Sequence, residues 1–345
     1  MTNIINISCA LPEYQYNKED ILTEAAGWLG VESAEFTLFR RFVGSAEVNT
    51  RRLAIPLKKV ASLNGRRERA DIFKREAALL AEKSINKSLT ATGLRAEQID
   101  ALIFTSCTIP TIPAIDTTLI SSLGFRSDII RIPIYQHGCA GGIMGLSIAN
   151  SLTSSAKNIL LVSAELCSLV YQRNSSDAEN LVGCAIFGDG SASALISPDD
   201  GGLQIISCKS HLIPNSTHLM GYYIRDDGTY LKLDKNLPKY VEENAQGLIV
   251  NFLRENGLTP NDIKWWLFHP GGKKVINSLE KVFALDSSQC HWAWDVLREC
   301  GNLSSSAVLF VASKFMQDKE FTRGDYALMF GLGPGLTIQL VLLKC

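Results

Sequence analysis

The 345-residue chain lacks a surplus of charge of either sign: 34 basic residues stand against 35 acidic ones, for a net charge of −1. That balance argues against a nucleic-acid binder and against a polybasic membrane-surface protein. Paired cysteines are lacking too. The nine cysteines, at positions 9, 107, 139, 167, 184, 208, 290, 300 and 345, are odd in number and form no CxxC, which points to reduced thiols and a cytoplasmic protein. Met1 to Pro12 has no basic segment and too short an apolar run for a secretion signal. The longest apolar stretch, Tyr326 to Leu343, is interrupted by Gly331-Leu332-Gly333-Pro334-Gly335, so two strands around a tight loop are expected rather than a membrane span. Histidines are few. His137 lies in a loop, His211 and His218 fall in a polar connecting region, and His291 beside Cys290 has no second ligand pair spaced for zinc. No metal site is expected.

What is present is apolar material, 46% of the chain, enough for one large domain or two fused halves. Ile4 to Ala10 reads as a strand and Glu19 to Leu29 as a helix, followed by a basic, irregular region with Arg40, Arg41, Arg51 and Arg52. Arg66 to Leu89 reads as an amphipathic helix burying Ile72, Phe73, Ala77, Leu80 and Ile85, with Arg66, Arg67, Arg69, Lys74 and Arg75 on a solvated face. An internal repeat follows. Gly93-Leu94, Ile99 and the run Ala101 to Phe104 recur 164 residues later as Gly257-Leu258, Ile263 and Trp265 to Phe268. Each copy is preceded by a helical stretch and followed by a polar turn opening a helix, at Gly138-Cys139 and at Gly301-Asn302. The pattern predicts two similar α/β halves, residues 1–197 and 198–345, with two layered sheets enclosing buried helices.

Within Gly138-Cys139-Ala140-Gly141-Gly142, a single cysteine sits between a branched, strand-like run, Ile129 to Tyr135, and a helical one, Gly142 to Leu152. A helix N-terminus favours a thiolate, and thiol pKa values of roughly 3.5–7.5 occur at such positions against about 8.5 for a free cysteine. The glycines would let a bulky acyl thioester approach the sulfur; a small-residue turn around a buried thiol is the plainer alternative. His269 ends the strand Ile263 to Phe268, and Asn302 opens an apolar helix, where it could also be a helix cap. In a pseudo-twofold arrangement these three element ends should face a shared centre. Glu165 and Asp189 could act as bases, although carboxylates at such turns and strand ends more often accept from backbone N–H groups.

On these residues the chain resembles the type III polyketide synthases, the chalcone synthase-like group of thiolase-fold condensing enzymes. The motifs are Gly138 to Gly142, Leu181 to Gly190 with its Phe187-Gly188-Asp189-Gly190, His269-Pro270-Gly271-Gly272, Gly301-Asn302-Leu303-Ser304-Ser305 and Gly331 to Gly335. Ketoacyl-ACP synthase III, the nearest alternative, normally continues its histidine as His-Gln-Ala-Asn. The resemblance implies a thiolase-like αβαβα core, with Cys139 carrying the acyl chain and His269 and Asn302 acting on malonyl-CoA. It implies no cofactor beyond the CoA thioesters themselves. Phe187 matches a gatekeeper, and Leu231 stands where a second, aromatic gatekeeper is expected. Cys107, Thr108, Val170, Gly183 and Ser304 match cavity positions, and Ile112 matches a residue that crosses a homodimer interface. Arg51, Arg52 and the Arg66 cluster are candidates for the CoA phosphates. The spelling resembles microbial enzymes that extend fatty acyl starters to alkylpyrones or alkylresorcinols. Two other classes use the same residues: a papain-type Cys/His/Asn hydrolase, in which the Asn orients the His, and a non-catalytic thiolase-fold scaffold.

Overall fold

Runs that are apolar without alternation become strands buried on both faces, as a sheet covered on both sides requires. The computed structural model describes residues 2–172, 175, 177–226, 228–318 and 320–345. Among them the strands are β1 (Thr2–Ala10), β2 (Tyr14–Asn17), β3 (Thr50–Leu53), β4 (Ala101–Thr105), β5 (Ile130–Ile134), β6 (Ile159–Leu166), β7 (Asp189–Ser197), β8 (Leu203–Leu212), β9 (Met220–Ile224), β10 (Thr229–Leu233), β11 (Ile263–Phe268), β12 (Tyr326–Gly333) and β13 (Thr337–Lys344). The helices are α1 (Lys18–Leu29), α2 (Ala34–Ser45), α3 (Leu57–Ser62), α4 (Gly65–Thr92), α5 (Asp116–Leu123), α6 (Gly141–Leu152), α7 (Ala178–Ile186), α8 (Leu237–Glu255), α9 (Lys273–Phe283), α10 (His291–Cys300) and α11 (Ala307–Asp318).

The strand order β11-β12-β13-β8-β1-β7-β6-β4-β5 reads outward from its middle as the same sequence twice, with β5 added at one edge. β4 pairs parallel to β6 as β11 pairs parallel to β12, and β6–β7 and β12–β13 are both antiparallel. Here the expectation of two separate sheets is modified. A short pairing of Thr2 to Ile4 with Leu203 to Ile205 joins them into one nine-stranded ladder. The layering remains: α6 packs against β4 and β6 on one side and β8, β12 and β13 on the other, and α11 lies beside it against β1, β7 and β11. The two-residue period of β4 serves both cores, since Ala101 and Ile103 face α6 while Leu102 and Phe104 face α4. With α4 outside one set of strands and α8 and α9 on the other half, the arrangement is the thiolase-like αβαβα core.

Three local expectations change. The stretch read as irregular and basic forms α2, which buries Phe36, Phe39 and Val43 and leaves Arg40 and Arg41 outside, and then β3. The stretch read as a polar connector holds β8 and the hairpin β9–β10. On α4, four of the five named basic residues are solvated, whereas Arg69 is buried and donates to the carbonyls of Leu63 and Leu169. The apolar C-terminal stretch is the antiparallel hairpin β12–β13, and among the described residues no helix is long and apolar enough to cross a membrane.

Candidate active site

Cys139 lies in a single 3-10 turn, Gly138–Ala140, that runs directly into α6. Gly138 has φ 55°, and a Cβ there would strike the ring of Pro334 in the β12–β13 loop. At Gly142 a Cβ would strike the carbonyl oxygen of Ser305. The glycines therefore let the start of α6 press against the second half of the chain; this close packing, rather than access to the sulfur, is what they serve. Electrostatics also depart from the sequence expectation. Burial pushes the Cys139 thiol up to about 11, because removing a thiolate from water costs more than the helix start returns.

His269 extends β11 by one residue, its N–H donating to the carbonyl of Phe330 at 2.8 Å. The side chain is buried, neither ring nitrogen has a hydrogen-bond partner among the described residues, and burial pulls the imidazole down to about 4, so it is neutral near pH 7. Asn302 is pinned by its main chain, which donates to the carbonyl of Ile186 at 2.8 Å and accepts from the N–H of Gly188 at 3.1 Å. Its side-chain oxygen accepts from the Ser304 N–H at 2.8 Å, an Asx-type turn, while the position capping the 3-10 turn before α11 is Leu303. Its amide nitrogen donates to the Gly271 carbonyl at 3.2 Å, which leaves a second N–H. Cys139, His269 and Asn302 line one cavity of about 260 Å³. Among the described residues no carboxylate, lysine or arginine lines it. Asn302 makes no bond to the imidazole among the described residues, unlike the Asn–His pair of a papain-type site.

Comparison with known proteins places this geometry. Residues 39–200 match the N-terminal domain of the chalcone and stilbene synthases, and residues 204–345 match their C-terminal domain. The chain belongs to the chalcone and stilbene synthase family. A 1,3,6,8-tetrahydroxynaphthalene synthase of Streptomyces peucetius subsp. caesius is 34% identical, over 99% of this chain and 93% of that one. A phloroglucinol synthase of Pseudomonas fluorescens is 28% identical, over 95% of each. The crystal structure of the tetrahydroxynaphthalene synthase of Streptomyces coelicolor, a bacterial type III polyketide synthase, superposes with a TM-score of 0.94 at 28% identity and covers 99% of each chain. As a type III polyketide synthase the protein is an acyltransferase working on CoA thioesters by decarboxylative Claisen condensation with malonyl-CoA. The match decides against ketoacyl-ACP synthase III.

Against this family's pattern, the other expected positions divide. Cys107, Phe187, Leu231 and Ser304 line the cavity with the central three residues. Val170 and Gly183 line a second, mainly apolar chamber of about 70 Å³, and Phe187, Tyr222 and Leu231 line both chambers, forming the wall between them. Thr108 lines neither; its hydroxyl is bonded to Glu165 at 2.5 Å and accepts from the Leu166 N–H. Ile112 is 96% exposed. Arg51 corrects the expectation of a phosphate ligand: it is buried, and its guanidinium donates to the carbonyls of Cys184, Ala185 and Phe187, capping the end of α7. Arg52 is likewise occupied, by the carbonyls of Pro12 and Glu13 and the side chain of Gln15. Glu165 and Asp189 are fully buried and accept from backbone N–H groups, Glu165 from Cys107 and Asp189 from Ala54 and Ser168. Sequence reasoning missed Tyr135, Gln136 and Tyr222 in the cavity wall. An aromatic in a short hairpin gives no signal of what it will face.

Proposed function

We propose that Cys139 carries the acyl chain and that His269 and Asn302 hold the malonyl thioester as it decarboxylates. The observation that carries this reading is one uncharged cavity in which a thiol from the first half meets an unbonded imidazole and an amide with a spare N–H from the second. Thiol and imidazole are both neutral at rest. As the sulfur attacks an acyl-CoA carbonyl its proton passes to His269, and the departing CoA sulfur takes that proton away, restoring the neutral ring. Malonyl-CoA then presents its thioester oxygen to the imidazole N–H and the Asn302 amide. Loss of carbon dioxide leaves an enolate whose charge those donors stabilise, and one such donor is worth about 2.7–4 kcal/mol. The enolate carbon attacks the acyl group on Cys139, forming a carbon–carbon bond, breaking the carbon–sulfur bond and releasing a chain two carbons longer on CoA; the Cys139 thiolate left behind takes a proton from solvent to restore the resting thiol.

The starter we favour is a fatty acyl-CoA, its tail passing between Phe187 and Leu231 into the second chamber, with cyclisation to a pyrone or resorcinol-type product. Leucine rather than an aromatic ring at position 231 supports this, whereas the main cavity of about 260 Å³ leaves room for little beyond the growing polyketide. Small-molecule sites usually offer roughly 300–1,000 Å³. The same volume, with relatives named for tetrahydroxynaphthalene and phloroglucinol, supports a second reading in which malonyl-CoA supplies starter and extender alike. We further read the protein as a cytoplasmic homodimer. Ile112, nearly all exposed in the loop between β4 and α5, is an apolar side chain that a partner copy would cover. Lys274, exposed in the first turn of α9 beside the cavity-lining Val275, takes over from Arg51 and Arg52 as the candidate for the CoA phosphates, its neighbour Lys273 being paired with Glu47 at 3.0 Å.

Incubation with an acyl-CoA, followed by intact-mass and peptide analysis, tests the nucleophile: the adduct should sit on Cys139, and an adduct on Cys107 or Cys184 would overturn the assignment. Product masses from malonyl-CoA alone and with starters of increasing length separate the two readings.

A further inference from the structure

We propose that the Ser304 hydroxyl, bonded to the neutral Cys139 thiol at rest, turns to hold the thiolate whenever that thiol ionises, a role beyond lining the cavity; this rests on Cys139 being the nucleophile. Ser304 has φ 50°, a left-handed conformation that costs a residue with a Cβ and persists only where its surroundings impose it. The constraint is visible: Asn302 Oδ1 accepts from the Ser304 N–H at 2.8 Å. So held, Ser304 Oγ lies 3.5 Å from Cys139 Sγ and 3.1 Å from Cys107 Sγ. Among the described residues it is the side chain hydrogen-bonded to the Cys139 sulfur, while both His269 nitrogens are unbonded.

One hydroxyl carries one hydrogen, and that decides its direction. When Cys139 loses its proton it can only accept, so Ser304 O–H must turn to it, and the Cys107 S–H then donates to the freed lone pair on Ser304 Oγ. Tyr222 Oη, 4.0 Å from Cys107 Sγ, continues the line. Donors aligned toward a charge reinforce one another. The other titratable groups facing the sulfur do not replace Ser304. Burial keeps Cys107, Cys167, Tyr135 and Tyr222 protonated and His269 uncharged, and the buried Glu165 carboxyl, when ionised, repels a thiolate. Asn302 therefore has two jobs: its N–H faces the malonyl thioester, and its oxygen fixes the residue that steadies the nucleophile.

The test is the pH dependence of Cys139 alkylation by iodoacetamide, read on the Cys139 peptide by mass spectrometry, in the parent, Ser304→Ala and Ser304→Gly. Glycine adopts φ 50° without strain, so it removes the hydroxyl while sparing the turn, and thermal melting checks the fold of each variant. Both variants should shift the profile up by about one pH unit, making alkylation about tenfold slower below the midpoint, as the loss of a hydrogen bond to a charged group implies. No shift in either variant, or a shift in the alanine variant alone, would overturn the proposal. Failure of the parent to take an acyl adduct on Cys139 would instead bring down the reading it rests on, so the two failures are distinguishable.

Discussion

The turn at Gly138–Ala140 and the turn at Ser304–Ser306 hold equivalent places in the two halves, each a single 3-10 turn running into one of the paired buried helices. They are built from opposite materials. The first is stripped to glycine and alanine around one thiol. The second carries three buried serines: Ser304 bonds the two sulfurs, Ser305 bonds Glu165 and Ser163, and Ser306 bonds Ser163 and the Gly190 carbonyl. Two turns with full side chains could not lie this close, and two stripped turns would take from the buried Glu165 the hydroxyl of Ser305. Duplicated backbone thus brings unlike chemistry to one point, with the nucleophile from one copy and its hydrogen-bonding wall from the other.

Making the turns alike should have the largest effect. Cys139→Ser gives the first turn the hydroxyl of the second, and because an alcohol gives up its proton far less readily than a thiol and the buried His269 ring is a weak base, it should abolish acyl-enzyme and product, checked by intact mass and product analysis. His269→Asn comes next, through stability. A histidine whose folded pKa is near 4 against an ordinary 6.5 binds fewer protons folded than unfolded, so its contribution is complete above pH 6.5 and is lost as pH falls toward 4, on the order of 3 kcal/mol in all. The variant should lose less stability across that window in urea titrations; Asp189, raised by burial to about 6, works in the opposite sense and stays common to both proteins. Gly142→Ala should cost about 1–3 kcal/mol, as overpacking does, because the new methyl meets the Ser305 carbonyl, and the urea midpoint should fall. The smallest change is expected from Leu231→Phe. A larger ring against Phe187 and Gly183 should shorten the accepted starters, and a competition assay with mixed acyl-CoA chain lengths reads that selectivity.

The repeated halves were legible because the runs Ala101 to Phe104 of β4 and Trp265 to Phe268 of β11 are apolar and recur with their preceding Gly-Leu pairs. Cys139, His269 and Asn302 stood out because each breaks an apolar pattern at an element end. What escaped the sequence depends on distance. Arg51 looks like any arginine in a basic run until α7, more than 130 residues on, turns out to need its donors. Tyr222 faces Cys107 across 115 residues. A helix start beside Cys139 could be read locally and argued for a low pKa, whereas the burial that raises it belongs to the assembled halves.

Carbon dioxide release and acetyl-CoA yield from malonyl-CoA alone, in Cys139→Ala and Asn302→Ala, test the division of labour between the halves most directly. The account predicts that Cys139→Ala still decarboxylates, since the enolate-stabilising donors remain and solvent can protonate the carbanion. Asn302→Ala should decarboxylate more slowly by roughly a hundred- to a thousandfold, the loss expected for one donor at a developing oxyanion. Decarboxylation at the parent rate in Asn302→Ala would contradict it and leave Asn302 only the acceptor of the Ser304 N–H.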